Sequence, residues 1–282
     1  MKIGFIGLGL IGGSIAKAVR NKYPDATIVA YNRSRDPLIQ AFKDGVIDAA
    51  TFEIDETFRD CDYIFLCTPV QTNISFIPKL IPYLSDKTVL TDVGSTKQSI
   101  QEAVAKAIPG AHFIGGHPMA GKEKSTYSNS SRELLEGCYY IVSPSKNVND
   151  SEIRDFEKLI ESIGCNPVTL DVSTHDYIVG AISHIPHIAA YTLVKLVKDN
   201  DTPEELMKEA AAGGFKDITR VASSDPTMWE EICLDNKDNL TELLDKYIEK
   251  LEEIKELISK GDGSALHKLF EEARDYRNSM IS

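Results

Sequence analysis

The hydrophobic and polar positions follow one pattern up to about residue 170 and a different pattern in the rest of the chain. Up to about residue 170, short apolar runs alternate with stretches that have the spacing of amphipathic helices. Strands that alternate with helices in this way indicate right-handed βαβ units and a mostly parallel sheet. The predicted strands are Lys2–Ile6, Thr27–Tyr31, Tyr63–Cys67, Thr88–Thr91, His112–Ile114, Tyr139–Val142 and Pro167–Leu170.

After residue 172 this alternation stops and no convincing strand follows. Between Leu240 and Ile258, apolar residues recur at steps of three, four and seven with acids and lysines between them, which predicts an amphipathic helix. We therefore predict a doubly wound α/β domain over residues 1–171 and an all-helical domain over residues 172–282.

The composition narrows the range of partners. The 282 residues are 42% hydrophobic, which is typical of a globular protein and excludes wholesale disorder. The net charge of −12 argues against nucleic acid and anionic lipid as partners, because both need a basic surface. No run of about 18 apolar residues is present, so we expect no membrane span. Five scattered cysteines without a CxxC pair favour a reducing, cytoplasmic location.

A glycine-rich turn follows the first strand and opens the first helix. A GxGxxG pattern in this position is typical of a dinucleotide-binding fold, where the glycines allow a tight turn and close approach of a pyrophosphate. The amides at the helix N-terminus then bind the phosphates. The alternative interpretation is a turn with no ligand. The residues predicted to bind the cofactor here are Gly7, Leu8, Gly9, Leu10, Ile11 and Gly12.

The end of the second predicted strand bears on the type of cofactor. A fold that binds NAD usually places an acid there for the ribose 2′-hydroxyl, whereas this chain has Asn32, Arg33 and Ser34. Arg33 and Ser34 are suited to a 2′-phosphate. We therefore predict an NAD(P) cofactor with NADP favoured over NAD. In the alternative interpretation, Arg33 is a solvated turn residue and Asp36 binds the ribose.

Two further loops leave the carboxyl ends of strands, where ligands sit in an open parallel sheet. The first begins with Cys67, Thr68 and Pro69, and the second contains Ser95. We predict that all four residues flank the cofactor. Ser95 has an alternative interpretation as the N-cap of the helix that begins there.

The segment from Gly115 to Lys124 reads GGHPMAGKEK. Two glycines and a His-Pro pair are poor material for the interior of a strand or helix, so we predict a rigid loop that presents His117 at the mouth of the sheet. A neutral imidazole there is suited to act as a general base. For a single histidine in isolation, the alternative of a purely structural role would be preferred.

The helical region contains a histidine cluster and an arginine that follows a run of small residues. His184 and His187 form an HxxH pair, but no third ligand is evident, so we predict no metal site. Arg220 offers a planar fork for a carboxylate, with a surface salt bridge as the alternative. Trp229, the one tryptophan, is interpreted as a core or interface residue.

Taken in order, these motifs resemble the prephenate dehydrogenase family, which includes enzymes that use arogenate. The matching segments are GLGLIGGS, DVGSTK, GGHPMAGKEKS, HDYIVGAISHIPH and AAGGFKDITRVASSDPTMW, and they cover essentially the whole chain. The resemblance implies a Rossmann domain, a helical domain through which a homodimer forms, and a role in tyrosine biosynthesis. We expect neither a regulatory ACT domain nor a fused mutase domain in the chain.

The resemblance also implies roles for individual residues. His117 is similar to the catalytic histidine that binds the ring hydroxyl, and Ser95 to the serine that supports this contact beside the nicotinamide. Hydride then leaves C4 of prephenate for the nicotinamide, His117 accepts the hydroxyl proton, and loss of CO2 makes the ring aromatic. The residues that the resemblance places at the substrate are His187, Arg220, Glu123, Lys122 and Asp217.

Three alternatives stay open at this stage. The first is an arogenate dehydrogenase, since one side-chain contact can decide between pyruvyl and alanyl groups. The second is an oxidoreductase similar to β-hydroxyacid dehydrogenases, which the absence of a lysine between Ser173 and Ile185 disfavours. The third is a non-catalytic regulator that senses NADPH, which the set of His117, Ser95 and Arg220 disfavours.

Overall fold

The chain folds into two compact units. The computed structural model describes residues 1–122 and 124–280. One unit comprises Met1–Asn236, and the other begins at Lys237. The first unit contains the whole sheet together with the helices up to residue 236, so the sheet and the first helices of the predicted helical domain pack as one body. The division predicted after residue 171 stays a prediction.

Eight strands form a single sheet in the order β3-β2-β1-β4-β5-β6-β7-β8. Every neighbouring pair is parallel except β6 and β7, which are antiparallel. This confirms the mostly parallel sheet. The strands are β1 (Lys2–Ile6), β2 (Thr27–Tyr31), β3 (Ala49–Thr51), β4 (Tyr63–Leu66), β5 (Val89–Asp92), β6 (Phe113–Pro118), β7 (Tyr139–Pro144) and β8 (Asn166–Thr169).

Twelve helices accompany the strands in the described chain, and those after residue 172 confirm the helical region. In chain order they are α1 (Leu10–Lys22), α2 (Arg35–Lys43), α3 (Val70–Leu80), α4 (Gln98–Ala107), α5 (Asp150–Ser162), α6 (Val172–Val179), α7 (Ile185–Asn200), α8 (Leu206–Ala210), α9 (Gly213–Thr219), α10 (Pro226–Asp235), α11 (Lys237–Lys260) and α12 (Gly263–Ser279).

The core lies on both faces of the sheet, because successive side chains of a strand point to opposite faces. Phe5 and Phe65 stack on one face with ring centroids 5.3 Å apart, and Phe156 of α5 packs on Phe65. Ile64 and Leu66 belong to the cluster on the other face. Burial of each such side chain contributes about 1.5–3 kcal/mol, so the sheet is a rigid support for the loops at its edge.

The structure corrects the prediction for the segment around His117. Gly115, Gly116, His117 and Pro118 lie in β6 and pair with β7, rather than in a loop. The two glycines are needed for close packing instead of a turn, since a Cβ on Gly116 would come within 2.5 Å of the Asp92 carbonyl oxygen. The short strand β3 was also absent from the prediction.

Helices α6 and α7 are joined by a π-helical turn over Gly180–His184 into one continuous helix. Pro186, which has no amide hydrogen, lies in the first turn of α7, and the wider turn before it accommodates the missing bond. By length and composition this helix, Val172–Asn200, is apolar enough to cross a membrane, although the sequence predicted no such segment. Only 22% of its most apolar window is buried within the structure.

Candidate active site

The glycine turn between β1 and α1 has the geometry of a dinucleotide cradle. Gly7 has a φ of +104°, and a Cβ there would lie 2.7 Å from Thr68 Cγ2. A Cβ on Gly12 would lie 2.9 Å from the Cβ of Cys67. Helix α1 begins after Gly9 without a side-chain cap, so no capping side chain occupies the amides of its first turn. These features fit the pyrophosphate of a dinucleotide.

One amide of this helix end already has a protein partner. The Leu10 N–H donates to the carbonyl oxygen of Ser125 at 2.7 Å, and Thr126 forms an isolated bridge with Gly9. Ser125 and Thr126, a few residues after the end of β6, therefore lie at the start of α1. They link the histidine strand to the predicted phosphate site.

A pocket of about 270 Å³ opens beside the glycine turn, at the carboxyl ends of β2 and β4. The Asn32 side chain accepts from the Leu8 N–H at 3.1 Å and donates to the Ser34 carbonyl. Arg33 is exposed and forms no ion pair with another described residue. No acidic side chain lines the pocket among the residues that the structure describes, and the lining residues are Tyr31, Asn32, Arg33, Ser34, Thr68, Pro69, Thr72 and Phe76.

His117 is the end of a chain of hydrogen bonds that crosses between β6 and α6. Its Nδ1 lies 2.9 Å from Nε2 of His175. Nδ1 of His175 lies 2.7 Å from Oδ1 of Asp176. His175 is fully buried, Asp176 is 3% exposed and His117 is 9% exposed. We call these three residues the His117 chain.

The far end of the His117 chain is fixed by helix α4. The backbone N–H groups of Lys97 and Gln98 donate to the two carboxylate oxygens of Asp176 at 2.8 and 2.9 Å. A carboxylate at a helix N-terminus accepts amides that have no partner within the helix and interacts favourably with the helix dipole. Because Asp176 fills this position, the alternative interpretation of Ser95 as the N-cap of α4 is wrong.

The direction of the hydrogen bonds follows from the acceptor at their end. A carboxylate accepts only, so Nδ1 of His175 donates to Asp176. Nε2 of a neutral His175 then accepts, and Nδ1 of His117 donates to it. The remaining lone pair of His117 lies on Nε2, which has no hydrogen-bond partner among the described residues. The chain therefore fixes His117 in the tautomer that a general base requires.

Burial and nearby charge keep His117 neutral. Its pKa lies well below the usual 6.5, first because burial disfavours the charged form and then because His175, Lys97 and His184 are close. The Lys97 ammonium is itself buried and forms an ion pair with Asp92. Asp92 also accepts from the Gly116 N–H at 3.2 Å, directly before His117 in β6.

A second group of side chains combines His184 and His187, further along the helix Val172–Asn200, with Trp229 of α10 and Arg220 after α9. We call these four residues the Trp229 group. The His187 ring stacks on Trp229 with centroids 3.7 Å apart, and His184 meets the same indole edge-on at 5.8 Å. Burial lowers the pKa of His184 to about 4. Two buried atoms, His184 Nε2 and Trp229 Nε1, have no hydrogen-bond partner in the described chain.

His187 and Arg220 are close enough for their charges to interact. The pKa of His187 is lowered by burial in the first place, and the positive charge of Arg220 lowers it further. Nδ1 of His187 donates to the Ser183 carbonyl at 3.0 Å, so Nε2 of the neutral ring is an acceptor. Arg220 begins the 3₁₀ turn after α9 and is exposed.

The other site residues predicted from sequence have no described hydrogen bond that fixes their side chains. Ser95 is half-buried after β5, and its hydroxyl takes no hydrogen-bond partner among the described residues. Lys122 and Asp217 are exposed, while Glu123 lies outside the described residues. No group of three or more potential metal ligands is present in the part of the chain that is described.

Sequence reasoning missed the partners of His117. His175 and Asp176 stand in the segment HDYIVGAISHIPH, but no contact with His117 was predicted for them, and 58 residues separate His175 from His117. Lys97 gave no signal either, since a lysine is seldom buried. The one local hint is the HD pair itself, two titratable residues in the first turns of an otherwise apolar helix.

A dinucleotide cradle and a neutral histidine base on one sheet define a nicotinamide-dependent dehydrogenase. Residues 15–169 match the model of the prephenate dehydrogenase nucleotide-binding domain, and residues 171–272 match that of the prephenate dehydrogenase dimerization domain. The chain therefore belongs to the prephenate dehydrogenase family, which confirms the family predicted from its motifs.

Individual relatives agree with this assignment. The chain is 34% identical to a prephenate dehydrogenase of Bacillus subtilis over 97% of its own length and 74% of that protein. The prephenate dehydrogenase of Aquifex aeolicus, in complex with hydroxyphenyl propionate and NAD+, superposes with a TM-score of 0.94 at 32% identity, covering 99% and 98% of the two chains. A Synechocystis arogenate dehydrogenase superposes with a TM-score of 0.86 at 28% identity over 99% of each chain.

Proposed function

We propose that the chain catalyses the oxidative decarboxylation of prephenate to 4-hydroxyphenylpyruvate, a step of tyrosine biosynthesis, with His117 as the proton acceptor. The observation that carries this proposal is the His117 chain, which leaves a lone pair on Nε2 of a buried, neutral imidazole. Family membership supports the reaction, and the cradle at Gly7 and Gly12 supports the cofactor.

The reaction needs little more than orientation and a base. A bound oxidised nicotinamide would supply the hydride acceptor for C4 of the substrate. Nε2 of His117 accepts the proton of the C4 hydroxyl, and Ser95 supplies a second hydrogen bond to that oxygen. CO2 leaves C1, the ring becomes aromatic, and His117 returns the proton to the phenolate. Atoms and charge balance, since a dianion and an oxidised cofactor become a monoanion, CO2 and a reduced cofactor.

The Trp229 group is proposed to bind the substrate's side chain and carboxylates. Arg220 provides the planar cation for a carboxylate, and the stack on Trp229 holds the ring of His187 in one plane. Lys122, Glu123 and Asp217 are proposed to line the entrance on the grounds of their motif positions alone.

Arogenate is the second candidate substrate, and one hydrogen bond favours it. Because Nδ1 of His187 donates to the Ser183 carbonyl, its Nε2 accepts when the ring is neutral. An acceptor suits the ammonium of the alanyl side chain of arogenate better than the keto group of the pyruvyl side chain of prephenate. The name of the Synechocystis relative is consistent with such a preference within the fold.

For the cofactor, we propose a preference for NADP. The pocket at Asn32–Ser34 contains no acid for the ribose hydroxyl among its described lining residues, and Arg33 is available for a 2′-phosphate. The main alternative is that Asp36 in the first turn of α2 binds the ribose of NAD. Arg33→Ala should raise the KM for NADP about tenfold and leave that for NAD within a factor of two. Equal effects on both cofactors would contradict the preference.

We further propose a homodimer in the cytoplasm. The helix Val172–Asn200 exposes Ile182 and Leu196 on its surface although it also carries His175 and Asp176. A second copy of the chain would cover such apolar surface, and the matching family model describes a dimerization domain. Light scattering of the purified protein, without detergent, should give twice the monomer mass.

The decisive assay for the activity combines prephenate and arogenate with NAD and NADP in four reactions. Reduced nicotinamide is followed by absorbance, and the aromatic product and CO2 are measured separately. We expect prephenate with NADP to give the highest kcat/KM, with one CO2 released per hydride. Absence of turnover in all four reactions would contradict the proposed function.

A further inference from the structure

Two cysteines of the first unit lie side by side at the start of neighbouring strands. Cys138 directly precedes β7 and Cys165 directly precedes β8, and the parallel register begins with Tyr139 opposite Asn166. The Asn166 N–H donates to the Cys138 carbonyl oxygen at 2.8 Å. The two Sγ atoms are 3.6 Å apart. No other pair of cysteines in the described chain has such a contact.

The backbone at this position is compatible with a covalent bond between the two sulfurs. Adjacent strands lie about 4.8 Å apart, within the range of about 4.4–6.8 Å between Cα atoms that disulfides adopt. Gly137 and Gly164 precede the two cysteines with φ values of +73° and +99°. The Gly137 N–H donates to the Gly164 carbonyl at 2.7 Å, so the two segments are already held together.

The two thiols have different reactivities. Cys138 is half-buried, and its pKa is lowered chiefly by its hydrogen bond with the Cys165 thiol. The same hydrogen bond, together with burial, raises the pKa of Cys165. Burial raises the pKa of Cys61 to about 12 and also raises those of Cys67 and Cys233. Cys138 is also the more accessible member of the pair, since Cys165 is buried, so we expect an oxidant to react with Cys138 first.

We propose that Cys138 and Cys165 form an oxidisable dithiol, which a two-electron oxidant of the hydroperoxide class converts to an intramolecular disulfide. With hydrogen peroxide, the Cys138 thiolate attacks one oxygen and the O–O bond breaks. The hydroxide that leaves takes up the proton that the thiol had released, which gives a sulfenic acid and water. The Cys165 sulfur then attacks the sulfenic sulfur, the S–O bond breaks, and a second water leaves. Two thiols are oxidised and one peroxide is reduced to two waters.

A disulfide between Cys138 and Cys165 would lie close to β6, the strand that contains His117. The carbonyl of Tyr139, next to Cys138, accepts from the N–H of Met119 at 2.8 Å. Met119 follows directly on His117 and Pro118 at the end of β6. A disulfide would therefore link the start of β8 covalently to the residue before Tyr139, and Tyr139 is the residue of β7 that is hydrogen-bonded to Met119 at the end of β6. The inference stands on the cysteine geometry and does not depend on the proposed function.

The experiment treats the purified protein with hydrogen peroxide, alkylates the remaining thiols after unfolding, and maps the tryptic peptides by mass spectrometry. Trypsin cleaves at Lys146, Arg154 and Lys158, so a linked pair of peptides reports the disulfide directly. We expect a loss of two hydrogen atoms in mass, a linked 138–165 peptide pair, and reversal by dithiothreitol. In the native protein, iodoacetamide should alkylate Cys138 at least about tenfold faster than the other cysteines.

Variants separate this outcome from general oxidation. Cys138→Ser and Cys165→Ser should each abolish the linked peptide, whereas Cys233→Ser, the matched control, should form it as the wild type does. Thermal unfolding followed by circular dichroism verifies that each variant is folded. A sulfinic acid on Cys138 with Cys165 still open to alkylation would overturn the proposal, as would a link between other cysteines or between two chains.

Discussion

The His117 chain and the Trp229 group each include two residues of the helix Val172–Asn200, but they differ in how their polar atoms are paired. In the His117 chain, the Asp176 carboxylate and the ring of His175 are bonded within the protein, and the chain ends on amides of α4. In the Trp229 group, the indole N–H and one imidazole nitrogen are buried without a described partner. Buried polar groups are costly unless they are paired.

The difference indicates that the His117 chain serves catalysis and the Trp229 group serves substrate binding. A network that is complete before the substrate arrives holds its catalytic group in a fixed orientation at no further cost during the reaction. The Trp229 indole N–H and Nε2 of His184, which have no described partner, are available to a ligand. We therefore expect changes in the His117 chain to act on kcat and changes in the Trp229 group to act on KM.

The largest effect is expected for His117→Asn. Asparagine retains a polar side chain of similar reach but cannot accept and hold a proton at neutral pH. The kcat for prephenate should fall by about 10²–10⁴, with KM changed by less than about threefold, because the Trp229 group is untouched. Steady-state rates at saturating cofactor measure both. A variant with kcat within fivefold of wild type would break the comparison.

Asp176→Asn is expected to have the next largest effect. An amide can donate to His175 and so reverse the tautomers along the chain, which removes the lone pair from Nε2 of His117. The kcat should fall by about 10–10³. Asparagine can still cap the helix, but loss of the negative charge at the helix N-terminus lowers stability by about 0.3–1 kcal/mol.

The control for this variant is Asp262→Asn, which also changes a helix N-cap, that of α12 through the Ala265 N–H. It should lower the melting temperature to a similar degree and leave kcat unchanged. If both variants lost kcat in proportion to their loss of stability, the role of Asp176 would be that of a cap alone.

In the Trp229 group, Arg220→Ala should raise KM for prephenate by about 10–100-fold, since a charge-assisted hydrogen bond contributes about 1.5–3 kcal/mol. The kcat should stay within about threefold. Lys216→Ala removes an exposed cation from the same segment and is the matched control, with KM unchanged. A fall in kcat with unchanged KM for Arg220→Ala would erase the distinction between the two regions.

The last effect is on stability instead of on catalysis. Because the pKa of His184 is about 4 in the folded protein and near 6.5 when unfolded, the unfolded state binds the extra proton first as pH falls. The contribution of His184 to the free energy of unfolding is fully present above pH 6.5. As the pH falls from 6.5 to 4, the free energy of unfolding decreases by up to ~3 kcal/mol.

Urea unfolding at fixed protein concentration should show this decrease in the free energy of unfolding for the wild type. The decrease should be smaller for His184→Gln. His117 contributes a loss in the same direction, since its pKa is also lowered. Equal pH dependence in wild type and His184→Gln would remove His184 from this account.

The parts of the fold that the sequence predicted depend on local patterns. Strands β1 and β2 begin and end where the apolar runs do, and the glycine turn is recognisable because its context, strand before and helix after, is local. The structure confirms the α/β class and the helical region for the same reason.

Features that depend on distant contacts were missed. Strand β6 continues through Gly115–Pro118 because Asp92 and Tyr140 approach its backbone, and neither residue is near it in sequence. The contact of His117 with His175 spans 58 residues, and Lys97 is buried only because Asp92 pairs with it. Tertiary packing overrides the ordinary preferences of Gly, Pro and Lys in each case.

The central claim is that the His117 chain makes His117 the base of the reaction. The pH dependence of kcat/KM for prephenate, compared between wild type and His117→Asn, tests it most directly, because this ratio reports the pKa of the free enzyme. We predict a wild-type rate that is flat through neutral pH and falls only well below pH 6.5, where His117 becomes protonated. The residual activity of His117→Asn should lack this acid limb. An acid limb at the same pH in His117→Asn would contradict the account.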